Sequence, residues 1–289
     1  MNRNIGYASA GFVDRELFSA LDAIAEAGFG HVELLGQKPH LEGVPKGKAM
    51  EGLIRRLDSV GLKASTVHAP LGKNTLAAPD EEWRRSAMET LASYLVFTAE
   101  VHAREMIVHP VPYPGFVPEA SQNELMRRAI ESARRSLDEL LPIAQRVGVR
   151  ILLENLPFEC SYPLLTMKEL RPLVDAYPKA HVGLVMDTGH AILTRQDPAE
   201  EIIVAGDRLW GVHLHDADGT TDHLPPMHGQ LDWQAVLAAL EKVNYSGIWT
   251  FEVIQSKENH TPEELAKMCY QFAQTWPKAN SENGLSLAV

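Results

Sequence analysis

The stretch LVMDTGHA, residues 184–191, poses the question that decides the fold. An apolar run, Leu184 to Met186, stops at an acid, Asp187, and a histidine, His190, follows within one turn. Such a run, cut short by polar groups, reads as a strand whose end meets a site. If other strands end in the same way, the fold has to bring those ends together.

Working outward, the chain alternates short apolar runs with longer amphipathic stretches. Strands are expected at 5–9, 31–36, 63–69, 105–111, 150–156, 182–189, 209–217 and 247–254. Between them, apolar residues recur at helical spacing, as in Leu17, Leu21, Ile24 and Ala25 of the stretch 15–28. Further helices are expected near 50–61, 80–102, 121–147, 167–176, 198–206 and 232–243, several of them stopping at a glycine such as Gly28, Gly61 or Gly148. A last helix, 261–276, opens with Thr261 as cap and Pro262 in its first turn. Runs that are apolar almost throughout suit parallel strands covered on both faces. Eight strand–helix units therefore predict a single (β/α)8 TIM barrel over 1–276, followed by an aperiodic tail, 277–289. The rival, a doubly wound open sheet, usually carries a glycine-rich first turn, and ASAGFVD at 8–14 is not G-x-G-x-x-G.

The bulk numbers agree with an ordinary globular enzyme: 289 residues, 45% hydrophobic and 22% charged. The net charge of -11 argues against a nucleic-acid partner, because neutralising phosphate supplies most of the affinity in such complexes. Two cysteines, Cys160 and Cys269, lie far apart without zinc spacing, which suits free thiols in a reducing compartment. No apolar run is long enough to span a membrane, and MNRNIGYASAGF lacks the apolar core of a signal peptide. A cytoplasmic protein is expected, with a homo-oligomer as the default for an enzyme of this size.

In a barrel the active site lies at the C-terminal ends of the strands. There the sequence places Glu33, His68, His109, Glu154 with Asn155, Asp187 with His190, His213, His215 with Asp216, and Glu252. The loop after the seventh strand adds Asp222, His223 and His228. Carboxylates and imidazoles converging on one point repel or desolvate badly without a cation. Oxygen and nitrogen donors together suit Mn, Co or Zn as a divalent ion. His213 and His215 share one face of their strand; His213, deeper, is the expected ligand, with His215 behind it or against substrate. Glu33 either meets substrate or serves a local structural pairing. His31, His102 and His181 read as structural.

The motifs ENLP, MDTGH, HLHD with DHLPPMHGQLDW, and FEV resemble the xylose-isomerase-like TIM-barrel superfamily over nearly the whole chain. That superfamily includes ketose epimerases, hydroxypyruvate isomerases, inosose dehydratases and endonuclease IV. The resemblance implies that Glu154, Asp187, His213 and Glu252 are metal ligands and that His190 touches a substrate hydroxyl. Glu154 and Glu252 would flank the carbon that loses its proton and act as acid and base through a metal-stabilised enediolate. The implied activity is a sugar or polyol isomerase or epimerase with a small-molecule substrate. His68, His109, His190 and His223 match positions that bind additional zinc in endonuclease IV, which gives the alternative of a multi-zinc phosphodiesterase. A dehydratase on the same barrel is a third possibility, and a barrel that only binds a ligand is disfavoured by the complete ligand set. The chain departs from these patterns at Thr221, where an acid is usual, and at Met227 and His228, where Gly-Glu is usual; it also lacks the sugar-gripping arginine of several epimerases.

Overall fold

The computed structural model describes residues 4–158, 160–254 and 258–282, the side chains of the last helix being described as far as residue 275. Eight parallel strands close into a barrel in chain order, the eighth pairing with the first. They are β1 (Ile5–Ala8), β2 (His31–Leu35), β3 (Lys63–His68), β4 (Glu105–Val108), β5 (Arg150–Glu154), β6 (Val182–Asp187), β7 (Leu209–Leu214) and β8 (Trp249–Phe251). The (β/α)8 expectation holds.

The helices are α1 (Leu17–Ala27), α2 (Lys48–Val60), α3 (Glu81–Glu100), α4 (Glu119–Val147), α5 (Met167–Val174), α6 (Thr188–Leu193), α7 (Pro198–Ala205), α8 (Trp233–Lys242) and α9 (Pro262–Glu282). Gly28, Gly61 and Gly148 end α1, α2 and α4 in the left-handed conformation that glycine adopts without strain. Thr261 caps α9 as expected, its hydroxyl accepting from the Glu264 amide at 3.3 Å while Glu264 accepts the Thr261 amide at 2.7 Å.

Two local expectations differ. Thr188 and Gly189, read as the end of a strand, open the short helix α6, because Asp187 caps it by accepting the His190 amide. The last helix continues to Glu282, beyond the periodic stretch. Residues 283–289 of the expected tail lie outside the described residues.

Alternation along the strands layers the barrel interior. At its N-terminal end Glu105 pairs with Arg150, whose guanidinium stacks 3.5 Å above the Trp210 ring. Above lies an apolar plug of Ile107, Leu152 and Val185. Gly211 makes room for it, since a Cβ there would stand 3.1 Å from Val185 and 3.3 Å from Leu152. Two residues further on come His109, just past the end of β4, and Glu154 and Asp187, the last residues of β5 and β6. The polar centre therefore rests on a dry floor. Among the described residues no helix is long and apolar enough to cross a membrane.

Candidate metal centre

Each residue of DTGH, 187–190, has a structural task. The Asn155 side chain clamps the Asp187 backbone, accepting its N–H at 2.7 Å and donating to its carbonyl at 2.9 Å. Asp187 then caps α6 through the His190 amide at 2.7 Å. The Thr188 hydroxyl donates to the His215 carbonyl at 2.7 Å and accepts the His215 amide at 3.1 Å, tying β6 to the end of β7. At Gly189 a Cβ would stand 2.1 Å from the His215 ring, so only glycine lets that ring lie against α6. His190 Nδ1–H donates to the Asn155 carbonyl at 2.9 Å and leaves Nε2 unprotonated.

Among the described residues three groups of potential ligand atoms result, each with its atoms within 4.8 Å of one another. The central one is Glu154, Asp187, His213 and Glu252, all buried. His213 Nδ1 lies 2.9 Å from both Glu154 and Glu252 and 3.6 Å from Asp187. One flanking group is His68, His109 and Glu154; the other is Asp187, His190, His215 and His223.

Hydrogen bonds fix which ring nitrogens face the centre. His68 Nδ1–H donates to the Ala69 carbonyl at 2.9 Å, so Nε2 faces Glu154 at 3.1 Å. His109 Nε2 meets the same carboxylate at 3.2 Å. His213 Nε2 lies 3.1 Å from Glu33, which also accepts the Thr66 hydroxyl at 2.6 Å. Glu33 is 2% exposed and sits behind His213, deeper in the barrel.

The electrostatics show what the centre lacks. Burial pushes the Glu154 carboxyl up, but the His213 charge and the bonds from His109, His213 and His68 outweigh it and hold the group well below the carboxylate range. Glu252 is likewise raised by burial yet brought to about 2 by His213 and His223. Burial depresses His68, and the Glu154 bond and the neighbouring acids lift it to about 9. His223 is lowered by burial and raised more strongly by Asp222, Glu252 and Asp187, also to about 9. At His109 burial dominates, and the imidazole is lowered. Without another cation, protons on histidine balance these acids. The donor set fits a divalent ion, which would replace those protons with a single charge.

The structure thus gathers Glu33, His68, His109, Glu154, Asp187, His190, His213, His215, His223 and Glu252 at one end of the barrel. Asp222 joins them, with Oδ1 at 3.1 Å from His223 Nδ1. Asp216 faces away. Its carboxylate accepts the Ala217 and Leu231 amides and the Trp233 indole, stapling the loop after β7. His228 pairs edge-on with His260 at 6.3 Å, and Met227 is exposed; neither is among the grouped ligands. His31, His102 and His181 also lie outside those groups. Cys160 and Cys269 are free thiols. In the segments that follow β4 and β5, Tyr113 meets Phe116 and Phe158 edge to edge, with Tyr113 and Phe116 half exposed. Sequence reasoning missed the roles of Thr66 and Thr188; nothing in their local sequence marks the partners they meet.

A barrel with this centre has known relatives. The family model described as xylose isomerase-like TIM barrel matches residues 21–271, and the chain belongs to that family. It is 34% identical over 120 residues to the D-psicose 3-epimerase of Enterocloster bolteae, covering 42% of this chain and 38% of that one. It is 31% identical over 228 residues to the probable endonuclease 4 of Aquifex aeolicus, covering 77% and 74%. The solved structure of a D-tagatose 3-epimerase-like protein superposes with a TM-score of 0.79 over 96% of this chain and 99% of that one. At 23% identity that likeness speaks to the fold.

Proposed function

We propose that the chain is a divalent-metal-dependent sugar or polyol epimerase or isomerase. The observation that carries this reading is the convergence of Glu154 and Glu252, two buried carboxylates 2.9 Å from His213 Nδ1, at the mouth of the barrel. Glu154, Asp187, His213 and Glu252 would hold Mn, Co or Zn. The ion would supply positive charge where the substrate carbonyl gains negative charge. Glu154 and Glu252 approach from different strands, so one takes the proton from the carbon beside the carbonyl and the other returns one. His190 Nε2, left bare by the Asn155 bond, accepts from a substrate hydroxyl. Tyr113, Phe116 and Phe158 shield the site and stack on the C–H face of a small sugar.

The test is solvent exchange. The metal-loaded chain, incubated in D2O with a panel of ketoses and keto-polyols, should place deuterium on the carbon beside the carbonyl, read by NMR. No incorporation with any of them would end this reading. Glu252→Gln should lower metal affinity and exchange together; exchange near the native rate would mean that the central group is misassigned.

The two flanking groups favour a second reading, a multi-zinc phosphodiesterase, which the endonuclease relative supports in sequence. The net charge of -11 opposes it. His68→Ala separates the two. A one-metal isomerase keeps most of its activity, whereas a multi-zinc hydrolase acting on abasic DNA loses nearly all.

A further inference from the structure

The following rests on the reading that the acid–histidine centre holds divalent cations. Besides His213, three imidazoles are grouped with Asp187: those of His190, His215 and His223. We propose that His215 is not a ligand but a positioning residue that fixes the Asp187 carboxylate and the loop of His223 together.

His190, His68, His213 and His223 follow one rule. One ring nitrogen donates to a protein oxygen, and the other nitrogen faces the centre. His190 Nδ1–H donates to the Asn155 carbonyl, His68 Nδ1–H to that of Ala69 and His213 Nε2–H to the Glu33 carboxylate. His223 Nδ1 meets Asp222, which leaves Nε2 toward Glu252 at 3.9 Å. His215 breaks the rule. Its Nδ1 receives the backbone N–H of His223 at 2.8 Å. The hydrogen of a peptide amide is fixed by the peptide plane, so this bond identifies a ring nitrogen that carries no proton. The Asp216 carbonyl lies 3.2 Å from the same nitrogen, but a proton aimed at it would confront the His223 N–H. The ring proton is therefore on Nε2, 2.8 Å from the Asp187 carboxylate, and donates to it. No lone pair remains for a cation.

The surroundings are built for holding. His215 is fully buried, bonded through its backbone to Thr188 and packed where Gly189 has no side chain. Its ring stacks on that of His223 with centroids 4.2 Å apart and planes 8° from parallel. His223 has φ 54, a conformation uncommon for a residue with a side chain, and its N–H bond to His215 helps to hold it there. On this side of the centre the carboxylate comes from Asp222, whose Oδ2 is 3.9 Å from His190 Nε2, and not from position 221.

The test uses the full chain, stripped of metal and reloaded with Co2+, in native, H215Q, H215N and H215A forms. Glutamine keeps an N–H donor near the place of Nε2. H215Q is expected to bind the native number of cobalt ions with the native visible spectrum, and with affinity weaker by about 10–100-fold, the usual effect of losing a partner behind a ligand. H215A should bind more weakly still without a change in band position. Loss of one cobalt per chain, or displaced ligand-field bands, in both variants would make His215 a ligand and overturn the proposal. If H215A does not fold, judged by circular dichroism, H215Q and H215N decide the matter by the same readouts. Cobalt uptake without sugar exchange would remove the epimerase reading and leave this inference standing. A native chain that takes up no cobalt would overturn both.

Discussion

Glu33 shows how much one residue's role depends on a partner far away in sequence. As an acid in an apolar strand it was legible as unusual, but its partner His213 lies 180 positions away, and no local pattern joins the two. The bond occupies Nε2 of His213 and leaves Nδ1 facing the central group. A carboxylate behind a ligand histidine also raises the basicity of the ring. Glu33→Gln keeps the shape and removes the charge. Mn2+ affinity, measured by calorimetry, should fall about 10–100-fold with the fold intact. Unchanged affinity would show that this pair does not tune the centre.

At the scale of elements, the eight strands were legible because each is a short apolar run followed by a helix at the right distance. Their ends were not. Glu252, His215 and His109 read as strand residues, yet β8, β7 and β4 stop just before them. These residues leave the ladder where the barrel opens and bond to loops and neighbouring strands, as the Glu252 amide does to the Leu214 carbonyl at 3.3 Å. The helix α6 was missed because it is short and contains a glycine, although the capping acid Asp187 marked its start. The first turn of α6 also tests the packing. Gly189→Ala drives a methyl group into the His215 ring, and overpacking of this kind destabilises by about 1–3 kcal/mol. Denaturant unfolding should show that loss, with weaker metal binding in the folded protein. A neutral effect would mean that the ring moves aside freely.

For the whole molecule, the centre links stability to pH. His68 and His223 have ordinary values of 6.5 and reach about 9 in the fold. Their contribution is fully present below 6.5 and disappears as pH rises through about 9. Glu252 runs the other way. Brought from 4.5 to about 2, it contributes above 4.5 and loses that contribution as pH falls through about 2. The metal-free chain should therefore lose thermal stability between pH 6.5 and 9, as read by melting temperature. A divalent metal should restore it at the upper end, where the imidazoles no longer hold protons. A flat profile for the metal-free chain would contradict the assigned pairings. The flanking groups emerged only when distant strands were set side by side.

Two carboxylates do double duty: Glu154 belongs to the central group and to that of His68 and His109, and Asp187 to the central group and to that of His190. If more than one group takes a cation, loading is anticooperative. A cation seated in one group would withdraw charge from the acid its neighbour needs, so a metal-binding isotherm would break into separate steps instead of following one hyperbola. Replacing either shared acid empties two compartments at a stroke, whereas replacing His68 or His190 touches one.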